Sequence, residues 1–156
     1  AATPALEGQG HLGRRPGGVA PGAGPAMVMV DSSVWIDFFT GHETPQVACL
    51  EACLRDGTEL CLCGLVLTEV LQGIRDDREY RRVRSRLDRL PCLPLRRAVF
   101  LRAAELYRQL RAAGVTIRNP VDCVIGATAL TYGVALLASD RDFVLMAQHV
   151  ALKTLP

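Results

Sequence analysis

Two short apolar runs in this chain each lead into an acid. Met27-Val28-Met29-Val30 runs into Asp31, and Val134-Ala135-Leu136-Leu137-Ala138 runs through Ser139 into Asp140. Uninterrupted apolar runs of this length suit strands buried on both faces, the condition of a parallel sheet covered by helices. Such strands cannot be joined by tight hairpins, so the sequence between them has to supply crossover helices. It does so. Helical spacing is read over Ser32–Phe39, Pro45–Arg55, Leu65–Ile74, Asp76–Leu90, Arg97–Ala113, Asn119–Tyr132 and Asp142–Gln148. Pro120 suits a first helical position, and Gly57, Gly114 and Gly133 act as stops. Further extended pieces are expected at Glu59–Cys63, Pro91–Leu95 and Val150–Thr154. The alternation predicts an α/β fold, a three-layer α/β/α sandwich with a mainly parallel central sheet. Ligands of such sheets bind at the carboxyl ends of the strands, where Asp31 and Asp140 fall.

The chain has 156 residues, which favours one domain. Apolar residues make up 49% and charged residues 22%, which excludes acidic or basic tail proteins and coiled coils. No apolar run approaches the ~20 residues that span a bilayer, so a soluble protein without a membrane partner is expected. Residues 1–26 stand apart. They hold seven of the 14 Gly and four of the nine Pro and show no periodicity. They are read as a disordered tail or linker, Met27 as a native start, and 27–156 as the folded domain.

Charge is distributed unevenly. All but one of the 18 basic residues are Arg, and thirteen of them lie between Arg75 and Arg118. That stretch carries +8, against −6 for the rest of the chain. A polarised Arg surface is the footprint of a phosphate-bearing partner, although pairs such as Asp77–Arg81 would also suit a plain solvated helix face. Six Cys in apolar surroundings read as small core residues rather than a disulfide framework. Zinc is disfavoured too, because no CxxC pair or matching His accompanies them.

Four acids have mainly apolar neighbours: Asp31, Glu69, Asp122 and Asp140. A carboxylate in an apolar frame is costly to desolvate without a partner. Each has an ordinary explanation. Asp31 and Asp140 can cap helices, Asp122 can sit in a helix first turn after Asn119, and Glu69 can face solvent. Convergence on one hard divalent cation, Mg²⁺ or Mn²⁺, accounts for all four together.

The segments around these acids resemble, in order, the motifs of PIN-domain proteins, specifically the VapC-type toxins of bacterial toxin–antitoxin pairs. Met27-Val28-Met29-Val30-Asp31-Ser32-Ser33-Val34-Trp35 resembles their opening strand and turn. Thr68-Glu69-Val70-Leu71-Gln72-Gly73 resembles the second motif. Asp122-Cys123-Val124-Ile125-Gly126-Ala127 resembles the third, with Gly126 where the family often has Ala, and Ser139-Asp140-Arg141-Asp142-Phe143 the fourth. The resemblance covers about Met27 to Pro156. It implies a Mg²⁺- or Mn²⁺-dependent endoribonuclease acting on tRNA or another structured RNA. Asp31, Glu69, Asp122 and Asp140 would be the catalytic, metal-holding quartet, and Ser33 a supporting hydroxyl. It also implies a cytoplasmic location and a homodimer neutralised by a VapB-type antitoxin, and residues 6–14 resemble an antitoxin tail. Asp142 is expected as a supporting acid or a helix cap.

Leu101, Leu106 and Leu110 are the apolar residues expected to serve a dimer contact. The Arg-rich Asp76–Arg97 region would hold the RNA backbone. Two alternatives remain. A haloacid dehalogenase-like phosphatase would want a second Asp where Ser33 stands, and a non-catalytic RNA- or antitoxin-binding module would not need all four acids. His11, His42 and His149 lie outside the motifs, which argues against imidazole-driven RNA cleavage.

Overall fold

A computed structural model describes residues 26–156. The expectations for the tail and for residues 6–14 lie outside the described residues, Ala26 excepted. Five parallel strands form one sheet in the order β3-β2-β1-β4-β5. They are β1 Met27–Val30, β2 Glu59–Cys63, β3 Cys92–Leu93, β4 Ala135–Leu137 and β5 Thr154–Leu155. β1 lies at the centre, with Val28 opposite both Leu60 of β2 and Ala135 of β4. Val28, Met29 and Val30 have no solvent exposure, which explains the unbroken apolar run.

Seven helices connect and cover the strands among the described residues. They are α1 Ser32–Thr40, α2 Pro45–Asp56, α3 Gly64–Gln72, α4 Asp77–Leu87, α5 Arg97–Ala112, α6 Pro120–Tyr132 and α7 Arg141–Ala147. α1 packs on α2 and α3, and α3 on α4; α5 packs on α6, and α6 on α7. The architecture is the expected α/β/α sandwich, with every strand pairing parallel. Side chains cap the helix starts. Thr44 accepts from Val47 N–H, and Asn119 from Val121 N–H. Gly41, Gly57, Gly114 and Gly133 take positive φ where helices end.

Several boundaries and contacts differ from expectation. The last strand is only Thr154–Leu155, not Val150–Thr154. It lies at a sheet edge, where pairing to Leu136 and Leu137 alone sets its length. α4 stops at Leu87 rather than Leu90, because Arg89 and Leu90 N–H bond only three residues back, to the Arg86 and Leu87 carbonyls, as a tighter closing turn. Leu106 and Leu110 are buried in the protein's own core and cannot serve a dimer contact. Leu101 is exposed, beside exposed Phe100. Cys92 is exposed, contrary to its apolar reading, whereas Cys61, Cys63 and Cys123 are buried. Burial pushes the Cys61 thiol up to about 12 and Cys123 to about 11, so neither is reactive near neutral pH. The pair Asp77–Arg81 is not among the ion pairs of the described residues; α4 instead pairs Arg82 with Glu79 and Arg84 with Asp88.

Candidate active site

Strand order reverses direction around β1: the chain steps outward to β2 and β3, then crosses to β4 and β5 on the other side. In an open α/β sheet the crevice at this switch point is where ligands bind. A cleft of about 440 Å³ opens there, lined by Asp31, Ser32, Glu69, Arg118, Asp122 and Asp140, with Ser33, Ile36, Asn119 and Asp142 completing the wall. All four acids singled out in the sequence therefore share one cleft, with Ser33 among them.

Each side chain is placed by a local device. Asp31 follows β1, and its backbone N–H donates to the Leu137 carbonyl of β4. Its carboxylate caps α1, accepting from Ser33 N–H at 3.2 Å and from Ser33 Oγ at 2.6 Å. Ser33 Oγ also accepts from Ser139 N–H at 3.3 Å, which ties the β1 turn to the β4 turn. Glu69 projects from α3 and accepts from Ser32 Oγ at 2.8 Å. Asp122 is buried in the first turn of α6. Asp140 caps α7, accepting from Asp142 N–H at 2.9 Å. The N-termini of α1, α6 and α7 thus all lie at the cleft, and the positive ends of their dipoles favour negative charge there. The ordinary helix-cap explanations of Asp31 and Asp140 are correct. They describe the same residues that line the cleft.

The electrostatics are unbalanced. Among the described residues, five carboxylates line the cleft against one guanidinium. Desolvation pushes Asp122 up to about 7, with Asp140, Asp31, Asp142 and Glu69 adding to the shift. Asp31 is also raised, mainly by burial, although the Ser33 bonds pull the other way. Unrelieved repulsion of this kind is what a bound cation relieves. As placed, no three Asp, Glu, His or Cys side chains among the described residues are close enough to clasp an ion between them. The acids surround a space rather than a point. This donor set fits a hard ion held by one or two carboxylates and by waters that the others bind, the habit of Mg²⁺.

Sequence reasoning missed two residues. Ser32 stands in the opening motif with no role of its own, but its hydroxyl holds Glu69. Arg118 was counted with the basic stretch, but it enters the acidic cleft, with Nη2 3.1 Å from Asp140 Oδ1 and Nε 3.6 Å from Asp142 Oδ1. Asp142 is buried and also accepts from Arg118 N–H at 3.1 Å. No local pattern announces a contact across 22 or 24 positions. A basic residue four places before Asp122 was the available hint.

The PIN domain family model matches residues 28–148. The chain belongs to the PIN domain family. VapC ribonuclease Mb1587 of Mycobacterium bovis is 30% identical over 126 residues, covering 78% of this chain and 92% of that protein. Ribonuclease VapC11 of Mycobacterium tuberculosis matches to the same extent. Among solved structures, the VapBC2 complex of Rickettsia felis, described as bound to a promoter DNA fragment, has a similar chain. It aligns with a TM-score of 0.66 at 17% identity, over 83% of this chain and 97% of that one. VapBC-5 of Mycobacterium tuberculosis aligns with a TM-score of 0.59 at 18% identity, over 84% and 98%. At such identities these two show the PIN fold. Membership leaves the phosphatase alternative without support, and Ser33, where a second Asp would be needed, holds Asp31 instead.

Proposed function

We propose that this PIN domain is a divalent-metal-dependent endoribonuclease, the toxin of a pair whose other member is a VapB-type antitoxin. The observation that carries the reading is the cleft itself: five carboxylates at the switch point of a parallel sheet, with Asp122 pushed up to about 7. The relatives named as VapC ribonucleases support the same activity.

Asp31, Asp122 and Asp140 would hold the metal, Mg²⁺ or Mn²⁺, directly or through water. Bound there, the ion supplies a water of lowered pKa and positive charge against the charge that grows on phosphorus oxygens. Ser33 keeps Asp31 in one orientation through its short hydroxyl bond. Glu69, fixed by Ser32, either joins the ligands or accepts a proton from the attacking water. Water attacking phosphorus would leave a 5′-phosphate and a 3′-hydroxyl, with no need of the 2′-hydroxyl.

α4 offers Arg78, Arg81 and Arg86 to solvent without an ion-pair partner among the described residues. Its inner side borders a groove that shares Ile36 with the cleft, so a strand lying on α4 is close to the acids. Such contacts position RNA without reading its sequence, and the substrate proposed is tRNA or another structured RNA. A homodimer and a cytoplasmic location belong to the same proposal. Exposed Phe100 and Leu101 are candidate dimer contacts, and no helix of the described residues is long and apolar enough to cross a membrane.

The test is cleavage of end-labelled RNA with Mg²⁺, with Mn²⁺ and with EDTA. Metal-dependent cutting that leaves 5′-phosphate ends is expected. Cutting that persists in EDTA would remove the metal from the reading, and no cutting under any metal would favour a non-catalytic binding module.

A further inference from the structure

Among the described residues one cation, Arg118, lines the acidic cleft, and none of the four acidic motifs includes it. Arg118 lies in the loop between α5 and α6 and is held at two levels. Its backbone N–H donates to Asp142 Oδ2 at 3.1 Å, and Asp142 is buried. Its guanidinium spans the turn from β4 to α7, with Nη2 3.1 Å from Asp140 and Nε 3.6 Å from Asp142. The side chain is nevertheless 72% exposed, and that of Asp140 is 38% exposed. The mount is buried while the charged tip is in water.

We propose that Arg118 is a positioning residue with two exchangeable partners. In the cation-free cleft it neutralises Asp140 and Asp142; once a divalent cation is bound, it turns to a phosphate of the RNA. The inference rests on the ribonuclease reading and adds a residue which that reading does not use. Three properties of the site carry it. The Arg118–Asp140 pair is exposed, and exposed pairs are weak and readily exchanged. A cation drawn to Asp140 competes with the guanidinium for the same carboxylate, because like charges cannot both be stabilised there. The planar guanidinium fork matches phosphate oxygens with two parallel bonds, which an ammonium cannot do. Because Asp142 keeps hold of the backbone, the exchange needs only rotation about the side-chain bonds of Arg118. Asp142 is then the mount for Arg118 rather than a metal ligand.

The experiment compares wild type, R118Q and R118K in two measurements. Mn²⁺ is titrated into the RNA-free protein by calorimetry, and steady-state cleavage of an RNA oligonucleotide is followed in Mn²⁺. R118Q is expected to bind Mn²⁺ about threefold to tenfold more tightly than wild type, having lost the competing charge. Its KM for RNA should rise by about tenfold, a larger change than in kcat. R118K keeps the charge without the fork. It should bind Mn²⁺ as wild type does and show an intermediate KM. Since the side chain is exposed, all three proteins should melt within about 2 °C of one another. Unchanged or weaker Mn²⁺ binding in R118Q, or an unchanged KM, overturns the proposal, as does a large drop in melting temperature in both variants. Wild type that takes up no Mn²⁺, or cuts no RNA, overturns the ribonuclease reading itself and this inference with it.

Discussion

The two strongly charged regions of this domain treat charge in opposite ways. The cleft buries Asp31 and Asp122 with too few cations to balance them, and both carboxyls are held above their ordinary range. α4 leaves its arginines in water, buries only Val83 and Leu87, and pairs Arg82 and Arg84 with neighbours one turn away. Charge that is buried and unbalanced destabilises the fold and has to be explained by something the site binds. Charge that is exposed costs the fold little and acts over distance, in a way that salt screens. On the ribonuclease reading proposed above, the contrast would separate the chemistry from the grip on RNA, and each can be perturbed alone.

The largest expected effect comes from the buried side. Asp122→Asn should lower RNA cleavage by about three orders of magnitude or more, while its melting temperature in EDTA stays equal or rises. Such a residue sacrifices stability for function. Asp31→Asn should lose activity similarly, and Asn still caps a helix well, so folding is retained. A fall in melting temperature together with activity would make the acids structural and end the contrast.

The next effect belongs to α4. Replacing Arg78, Arg81 and Arg86 together by Gln should weaken RNA binding by about tenfold near 0.1 M salt. It should flatten the plot of log affinity against log salt by roughly 2, at about 0.7 per phosphate contact on single strands. Turnover at saturating RNA should barely change. Binding titrations at several salt concentrations check this, and an unaltered slope would remove α4 from the interface.

A third effect is on stability against pH in EDTA. The folded-state pKa of Asp122 is about 7 against an ordinary 3.8, and that of Asp31 is raised too. The folded protein therefore binds these protons more tightly than the unfolded chain. The contribution to stability is absent well above pH 7, grows as pH falls through 7, and is complete below about 3.8. Melting temperature should rise from pH 8 to pH 6. Saturating Mn²⁺ should flatten that rise, and the same titration should lower cleavage as pH drops below 7. A melting temperature that falls between pH 8 and 6 would contradict the assignment.

The smallest effect concerns Gly126, inside α6. A Cβ there would lie 2.9 Å from Met146 Sδ, which must move. Met is flexible, and Ala is better than Gly in a helix by up to about 1 kcal/mol. Gly126→Ala should therefore change stability by less than about 1 kcal/mol in either direction, by chemical denaturation.

Much of this was legible in the sequence because the central strands are short, wholly buried and end in acid. The apolar runs before Asp31 and Asp140 fixed their place at the rim of the sheet. The cap and cleft explanations of Asp31 seemed to compete only until the structure showed a single turn serving both. What stayed illegible depended on partners far along the chain. The α5 stripe of Leu106 and Leu110 has the right spacing for any apolar partner, and it is α6, not a second subunit, that covers it. The edge strand β5 is set by its pairing to β4 rather than by its own weak pattern. Arg118 looked like one arginine among thirteen because its partners come from the β4–α7 turn.

The position of β1 has a consequence for how the molecule comes apart. Its backbone is bridged on both sides, whereas the outer strands β3 and β5 have two residues each. Hydrogen exchange should begin at those margins and reach Met29 and Val30 only when the whole domain opens. A molecule frayed at those margins would still hold β1 between its two neighbours and Asp31 at the carboxyl end of that strand.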